Sequence, residues 1–337
     1  MTASIDANPT PVADRGRSGG LDLDAAAPFT DVEILRELEP LVGREVDRHF
    51  STARDWMPHE YVPWSDGTTF DGPLGGQAWE TGQSAYPEEV RTALVVNLLT
   101  EDNLPSYHHE IATIFRGEGA WGTWVHRWSA EEARHSAAIR DLLLTTRAVD
   151  PIALENDRMT HMSTGFKSSH GDKLLHGVAY VSFQELATRV AHRNTGRLSN
   201  DEVCDQLMQR VALDENLHML FYRNVLAGAL DLAPDQSMSS IVDVVTDFQM
   251  PGHTIEGFGR KSLSMALAGV YDLRQHLDDV IQPVLRAWRI FERDDFGPLG
   301  EAKREELAAF LVTVEEQASR FEEKRDALKA RLAARGK

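Results

Sequence analysis

A chain of 337 residues, 42% hydrophobic and 26% charged, carries enough apolar material for a large core and excludes disorder along its whole length. The formal net charge of −18 excludes nucleic acid as a partner, because the phosphate backbone would be repelled. A single cysteine, Cys204, permits no internal disulfide, iron–sulfur cluster or structural zinc site, and no apolar run reaches the ~18 residues that a membrane span requires.

The first 28 residues are rich in Ala, Asp, Gly and Pro and lack the apolar core of a secretory signal. They read as a flexible tail on a cytoplasmic protein, ahead of a single helical domain over 29–337. A helical stripe follows over 31–50 (Ile34, Leu35, Leu38, Leu41, Val42, Val46), interrupted at Pro40. The stretch 56–86 is rich in Pro and Gly, and its three tryptophans, Trp56, Trp64 and Trp79, predict that it packs onto the body.

Pro87 with Glu88 and Glu89 opens a helix bearing Val90, Leu94, Leu98 and Glu101, which Pro105 should bend. A second helix covers about 121–146, and Asp150-Pro151 starts a shorter one. A long helix over about 173–194 should stop at Gly196, and Ser199 with Glu202 forms a capping box opening the next, to about residue 230. Further helices are predicted near 238–250, 254–290 (broken) and 301–334, the last solvated by its Glu, Lys and Arg. No strand pattern appears. The class is all-α: four consecutive helices (87–115, 121–146, 173–195, 200–230) are the material of a four-helix bundle with additional helices around it.

Two short motifs carry the chemistry: Glu132-Ala-Arg-His135 and Glu215-Asn-Leu-His218. Residues three apart share a helix face, so such a carboxylate and imidazole can hold one metal ion without bending the backbone. Taken singly the motif is common, and Ser129 with Glu132 also fits a capping box. The pair is different. Glu101 lies 31 residues before Glu132, and Glu185 lies 30 before Glu215, both in apolar surroundings. The chain therefore reads Glu, Glu-x-x-His, Glu, Glu-x-x-His, one element per helix. One Glu from each of two helices and Glu-x-x-His from each of the other two is the ferritin-like di-iron or di-manganese arrangement. Four carboxylates would be neutralised by two divalent ions, and an O/N ligand set suits iron, with manganese the alternative.

At this point the sequence resembles the soluble, plant-type acyl-ACP desaturases. The matching stretches are Leu99-Thr-Glu101-Asp-Asn-Leu-Pro-Ser-Tyr107, Trp128-Ser-Ala-Glu-Glu132-Ala-Arg-His135, Ser182-Phe-Gln-Glu185-Leu-Ala-Thr188 and Asp214-Glu215-Asn-Leu-His218, followed by Phe248-Gln-Met-Pro251 and Gly269-Val-Tyr-Asp272. The resemblance implies that Glu101, Glu132, His135, Glu185, Glu215 and His218 bind two irons. It places the Thr188 hydroxyl near the oxygen-binding side, and makes His135, Asp214 and Trp56 an electron path. It also implies the reaction: an O2-dependent double bond in a saturated acyl chain on acyl carrier protein, with electrons from a ferredoxin-type donor, in a homodimer.

One departure is Glu110, where the family tends to have an apolar cavity residue, with Thr113 and Ile114 close by as substrate-channel candidates. His108, His109, His161, His170, His176, His192 and His253 are given no ligand role. Arg189, Arg193, Arg197 and Lys173 are the candidates for a basic dock on an otherwise acidic chain. Two other readings stay open: a di-iron acyl hydroxylase or oxidase using the same ligands, and a non-catalytic metal-binding homologue.

Overall fold

The computed structural model describes residues 28–166 and 173–335, so the tail reading and His170 lie outside the described residues. Helix α1 (Asp31–Thr52) opens with a capping box between Thr30 and Glu33, and runs through Pro40 with its predicted stripe buried except for Leu41, which is half-buried. A strap of irregular chain and short 3-10 turns follows. Buried Arg147 gathers it, donating to Gln83 and to the carbonyls of Thr68, Gln77 and Ala78 while covering the Phe70 ring. Trp56 is buried and the Trp79 indole N–H donates to the Arg147 carbonyl. Trp64, by contrast, is 51% exposed, so only two of the three tryptophans anchor the strap.

Four helices bring the motifs together: α2 (Glu88–Asp102), α4 (Gly119–Thr145), α6 (Leu174–Ser199) and α7 (Glu202–Leu232). The helix expected over 87–115 is two helices. It breaks at Asn103, and α3 (Leu104–Phe115) takes Pro105 in its first turn, where the missing N–H costs nothing. Around them lie α5 (Pro151–Thr164), α8 (Pro234–Thr246), α9 (Phe258–Ala268), α10 (Leu273–Gln275), a π-helical turn (His276–Ile281), α11 (Gln282–Ala287) and α12 (Pro298–Arg335). α12 buries only a thin line, including Leu307, Val314 and Ala318. Among the described residues there is no strand, only an isolated bridge between Phe70 and Gln77.

Two predicted signals act differently. Gly196 does not stop α6, which runs on to Ser199. A Cβ at Gly196 would stand 2.9 Å from the Met208 Cβ and 3.2 Å from the Asp205 Cα, so this glycine serves the close approach of α6 and α7. Nor does Ser199 cap α7: its hydroxyl donates to the Gly196 carbonyl, and Asp201 accepts from the Cys204 N–H instead. Ser129 lies well inside α4 and caps nothing. Cys204 is fully buried, and burial pushes its thiol up to about 12, as for a small apolar core residue.

Candidate metal centre

The motifs converge. Glu101 comes from the last turn of α2, Glu132 and His135 from α4, Glu185 from α6, and Glu215 and His218 from α7. Every one is buried, from 0% exposure for both histidines to 7% for Glu132. They form two overlapping sets whose ligand atoms lie within 4.8 Å of one another: Glu101, Glu132, His135 and Glu215, and Glu132, Glu185, Glu215 and His218. Glu132 and Glu215 belong to both sets, and the other four to one set each.

The atoms themselves give the fit test. Glu132 Oε1, His135 Nδ1, Glu185 Oε2, Glu215 Oε1 and His218 Nδ1 are buried without a hydrogen-bond partner. His135 Nδ1 stands 3.2 Å from Glu215 and 3.4 Å from Glu132, and His218 Nδ1 stands 2.8 Å from Glu132, in each case without hydrogen-bond geometry. So many unsatisfied polar atoms would be costly in a core. Aimed at a common space, they fit a pair of cations.

Without cations, protons take up part of the charge. Burial and the neighbouring Glu215 push the Glu185 carboxyl well above its ordinary value. Burial works against protonating His135, but Glu132 and Asp214 outweigh it and raise that imidazole well above its ordinary value. His218 is raised in the same way, by Glu131 and Glu132 against burial. Burial and the neighbouring Glu101 work to raise Glu215, yet the adjacent Glu185 carboxyl and the two imidazoles hold it down at about 2.

Outer partners orient the ligands. His135 Nε2 lies 3.3 Å from Asp214 Oδ2, which also accepts from the Trp56 indole N–H at 2.7 Å. The stretch predicted as an electron path is thus contiguous. Arg134 donates to Asp214 and to the Trp56 carbonyl while covering the Trp56 ring. Three partners escaped the sequence reading: Glu131 accepts from His218 Nε2 at 2.9 Å, the Trp128 indole donates to Glu185 at 3.0 Å, and His192 Nε2 bonds Glu101 at 2.9 Å. A signal existed for the first alone, since an acidic residue directly precedes each Glu-x-x-His. Such a carboxylate fixes the histidine tautomer and raises its basicity. The Thr188 hydroxyl has one proton to give, and the Glu185 carbonyl at 3.0 Å, the Gln184 carbonyl at 3.2 Å and Glu215 Oε2 at 3.3 Å compete for it.

An apolar pocket has Glu101, Glu132, Glu185 and Thr188 in its wall. It continues past Tyr107, Tyr180 and Val181 towards Ile114 and Gly177, with Glu110 on its side. Thr113 is not part of it: that side chain is exposed and its hydroxyl donates to the His109 carbonyl, because the turn that points Ile114 inward points Thr113 out. A second pocket shares Thr100 and Thr188 with the first and is lined by Phe248, Phe258 and Tyr271. Arg189, Arg193 and Arg197 border a surface cleft with Arg223, although Arg193 is paired with Asp205. Lys173, ahead of the first turn of α6 and ~24 Å from Arg189 along the axis, is outside that group.

Helices of this order, closed around a buried cluster with two shared glutamates, define a ferritin-like dimetal carboxylate protein. The family model described as "Fatty acid desaturase" matches residues 30–335, and the chain belongs to that family, in its acyl-ACP desaturase branch. It is 48% identical over 319 residues to a Mycobacterium tuberculosis protein named "Putative acyl-(acyl-carrier-protein) desaturase DesA1", covering 93% of this chain and 94% of that one. It is 27% identical over 352 residues to a chloroplastic palmitoyl-(acyl-carrier-protein) 4-desaturase 2 of Ophrys sphegodes, covering 96% and 93%. The X-ray structure of the M. tuberculosis protein DesA2 superposes with a TM-score of 0.64 at 30% identity, covering 76% of this chain and 94% of that one.

Proposed function

We propose that this chain inserts a double bond into a saturated acyl chain carried on acyl carrier protein. The acyl chain, O2, two electrons and two protons give the alkene and two waters. The observation that carries this reading is the apolar cavity with the carboxylate cluster in its wall. Electrons come from a ferredoxin-type donor, and the working unit is a homodimer of single-domain chains in the cytoplasm. Iron is the proposed metal, manganese being the other hard cation that the ligands accept. A bound iron pair supplies the redox chemistry that turns O2 into an oxidant for an unactivated methylene.

The protein's own part is positional. Tyr107, Ile111, Tyr180 and Val181 line a narrow path that holds an acyl chain extended and excludes water. Glu132 and Glu215, common to both sets, would serve both ions, and the Thr188 hydroxyl lies beside Glu215 in the pocket wall. Asp214 links the His135 imidazole to the buried Trp56 indole.

The test is turnover of defined acyl carrier protein thioesters with reduced ferredoxin and O2, followed by mass spectrometry of the acyl chain. Loss of two hydrogens is expected. Gain of an oxygen atom would replace desaturation by hydroxylation, and O2 left unconsumed would leave only a metal-binding protein.

Two substitutions probe the details. Gly177 leaves the end of the cavity open, since a Cβ there would stand 2.9 Å from the Ile114 Cδ1. Gly177→Leu should displace two or three methylenes of a long substrate, roughly 2 kcal/mol of burial. Its kcat/KM should fall about 30-fold for the longest accepted chain and little for short ones; an even loss across lengths would show that this end is not the methyl end. Trp56→Phe keeps the ring and removes the donor to Asp214. It should bind both irons yet be reduced at least ~10-fold more slowly by ferredoxin in stopped-flow measurements, by analogy with the loss of other outer partners of metal ligands. An unchanged reduction rate would remove Trp56 from the path.

A further inference from the structure

Helices α4 and α7 carry the same pattern, Arg127-x-x-x-Glu131-Glu132-x-x-His135 and Arg210-x-x-x-Asp214-Glu215-x-x-His218. The acids cross between helices: Asp214 of α7 serves His135 of α4, and Glu131 of α4 serves His218 of α7, at 3.3 and 2.9 Å. Each acid is held by the arginine one turn before it, Asp214 by Arg210 and Glu131 by Arg127, the latter at 2.6 Å. Each also takes a third partner from outside the four-helix core, on the very oxygen that the ligand histidine uses. For Asp214 that partner is Trp56. For Glu131 it is His49, from the last turn of α1, whose Nε2 lies 3.0 Å from Glu131 Oε2. The rings match as well: Trp56 lies 13° from parallel to His135 with centroids 6.3 Å apart, and His49 lies 27° from parallel to His218 at 5.9 Å.

We propose that His49 is a positioning residue for His218, the counterpart at the second metal position of Trp56 at the first. This rests on reading the buried cluster as a dimetal centre. An ionised carboxylate only accepts. With His218 Nδ1 aimed at the cluster, its Nε2 carries the proton and donates to Glu131, so His49 also donates, through its own Nε2. Two N–H groups on one oxygen pin the Glu131 carboxylate against the His218 ring, and so pin the direction of His218 Nδ1. Nothing else uses the polarity of His49. It is 1% exposed, its Nδ1 has no hydrogen-bond partner among the described residues, and its ring stands 87° to that of Trp124 with centroids 5.0 Å apart. A site serving packing alone would be better filled by an apolar ring, because an unsatisfied buried nitrogen is costly.

The test is chelator-driven iron release from the loaded, full-length protein, read as iron per chain against time together with the absorption spectrum of the oxidised centre. His49→Phe preserves the ring and removes the donor. It should still load two irons, release one of them about 10- to 100-fold faster than the unaltered chain does, leave the other unchanged, and alter the spectrum. His49→Gln, which offers an amide N–H at similar reach, should restore slow release. Glu131→Gln, a second probe should His49→Phe fail to fold, should speed release of the same ion. Release of both ions at the original rates in His49→Phe, or equal acceleration of both with no rescue by His49→Gln, overturns the positioning role. Failure of the dimetal reading shows separately and first, as fewer than two irons on the unaltered chain.

Discussion

Glu215→Ala is expected to empty both metal positions at once. Glu215 belongs to both candidate ligand sets, so its loss would take a carboxylate from each and leave Glu132 as the one acid common to His135 and His218. Bound iron should fall from two per chain to less than one, and turnover should drop by at least about 10³-fold, because no oxidant forms without the pair. Glu185→Ala should behave differently, since Glu185 belongs only to the set with His218; it should release one ion and retain the other. Iron analysis of the two variants, with Glu215→Gln as a control that preserves volume, checks the arrangement. Retention of both irons by Glu215→Ala would show that the two sets share no bridge.

Stripping the metal should lower the melting temperature, and by more at pH 8 than at pH 6. In the metal-free cluster the folded-state pKa values of His135 and His218 lie above the unfolded value of 6.5. Their stabilising contribution is complete below pH 6.5 and is lost as pH rises through the folded values. Glu185, also raised, works in the same direction from about pH 4.5 upward. Glu132, Glu215, Asp214 and Glu131 are lowered, so their contributions are present above the ordinary carboxylate range and are lost only in acid. The metal-free chain should therefore weaken from pH 6 to pH 8, while metal affinity rises as ligands deprotonate. A metal at about 1,000 times its Kd adds ~4 kcal/mol, which is on the order of 10 °C at this size. Calorimetry of chelated and loaded protein at both pH values checks the sign. A gap that shrinks toward pH 8 would mean that protons do not stand in for cations.

The ligands could be read from the chain because their geometry is local. A glutamate and a histidine three apart share a helix face whatever the helix packs against, and the alternation of the motifs carries over to successive helices. The outer partners could not. Trp128 reaches Glu185 over 57 positions, His192 reaches Glu101 over 91, and His49 reaches Glu131 over 82. Each pairing depends on how two helices are rotated against one another, which no single-helix pattern records.

The same division holds for the channel and for the helix ends. Pro105 announces a bend, but the rotation of α3 after Asn103 turns Ile114 into the cavity and Thr113 out to solvent. Gly196 looks like a stop and is instead a contact, because the nearness of Met208 and Asp205 on α7 outweighs the low helix propensity of one glycine. From the residues alone came the all-α class, the order of the four bundle helices and the six candidate ligands, since periodicity, proline and i,i+3 spacing act within one helix. Only the packed structure decided which carboxylates are shared, which acid serves which imidazole and where the apolar path runs, because those are fixed by contacts between segments far apart in the chain.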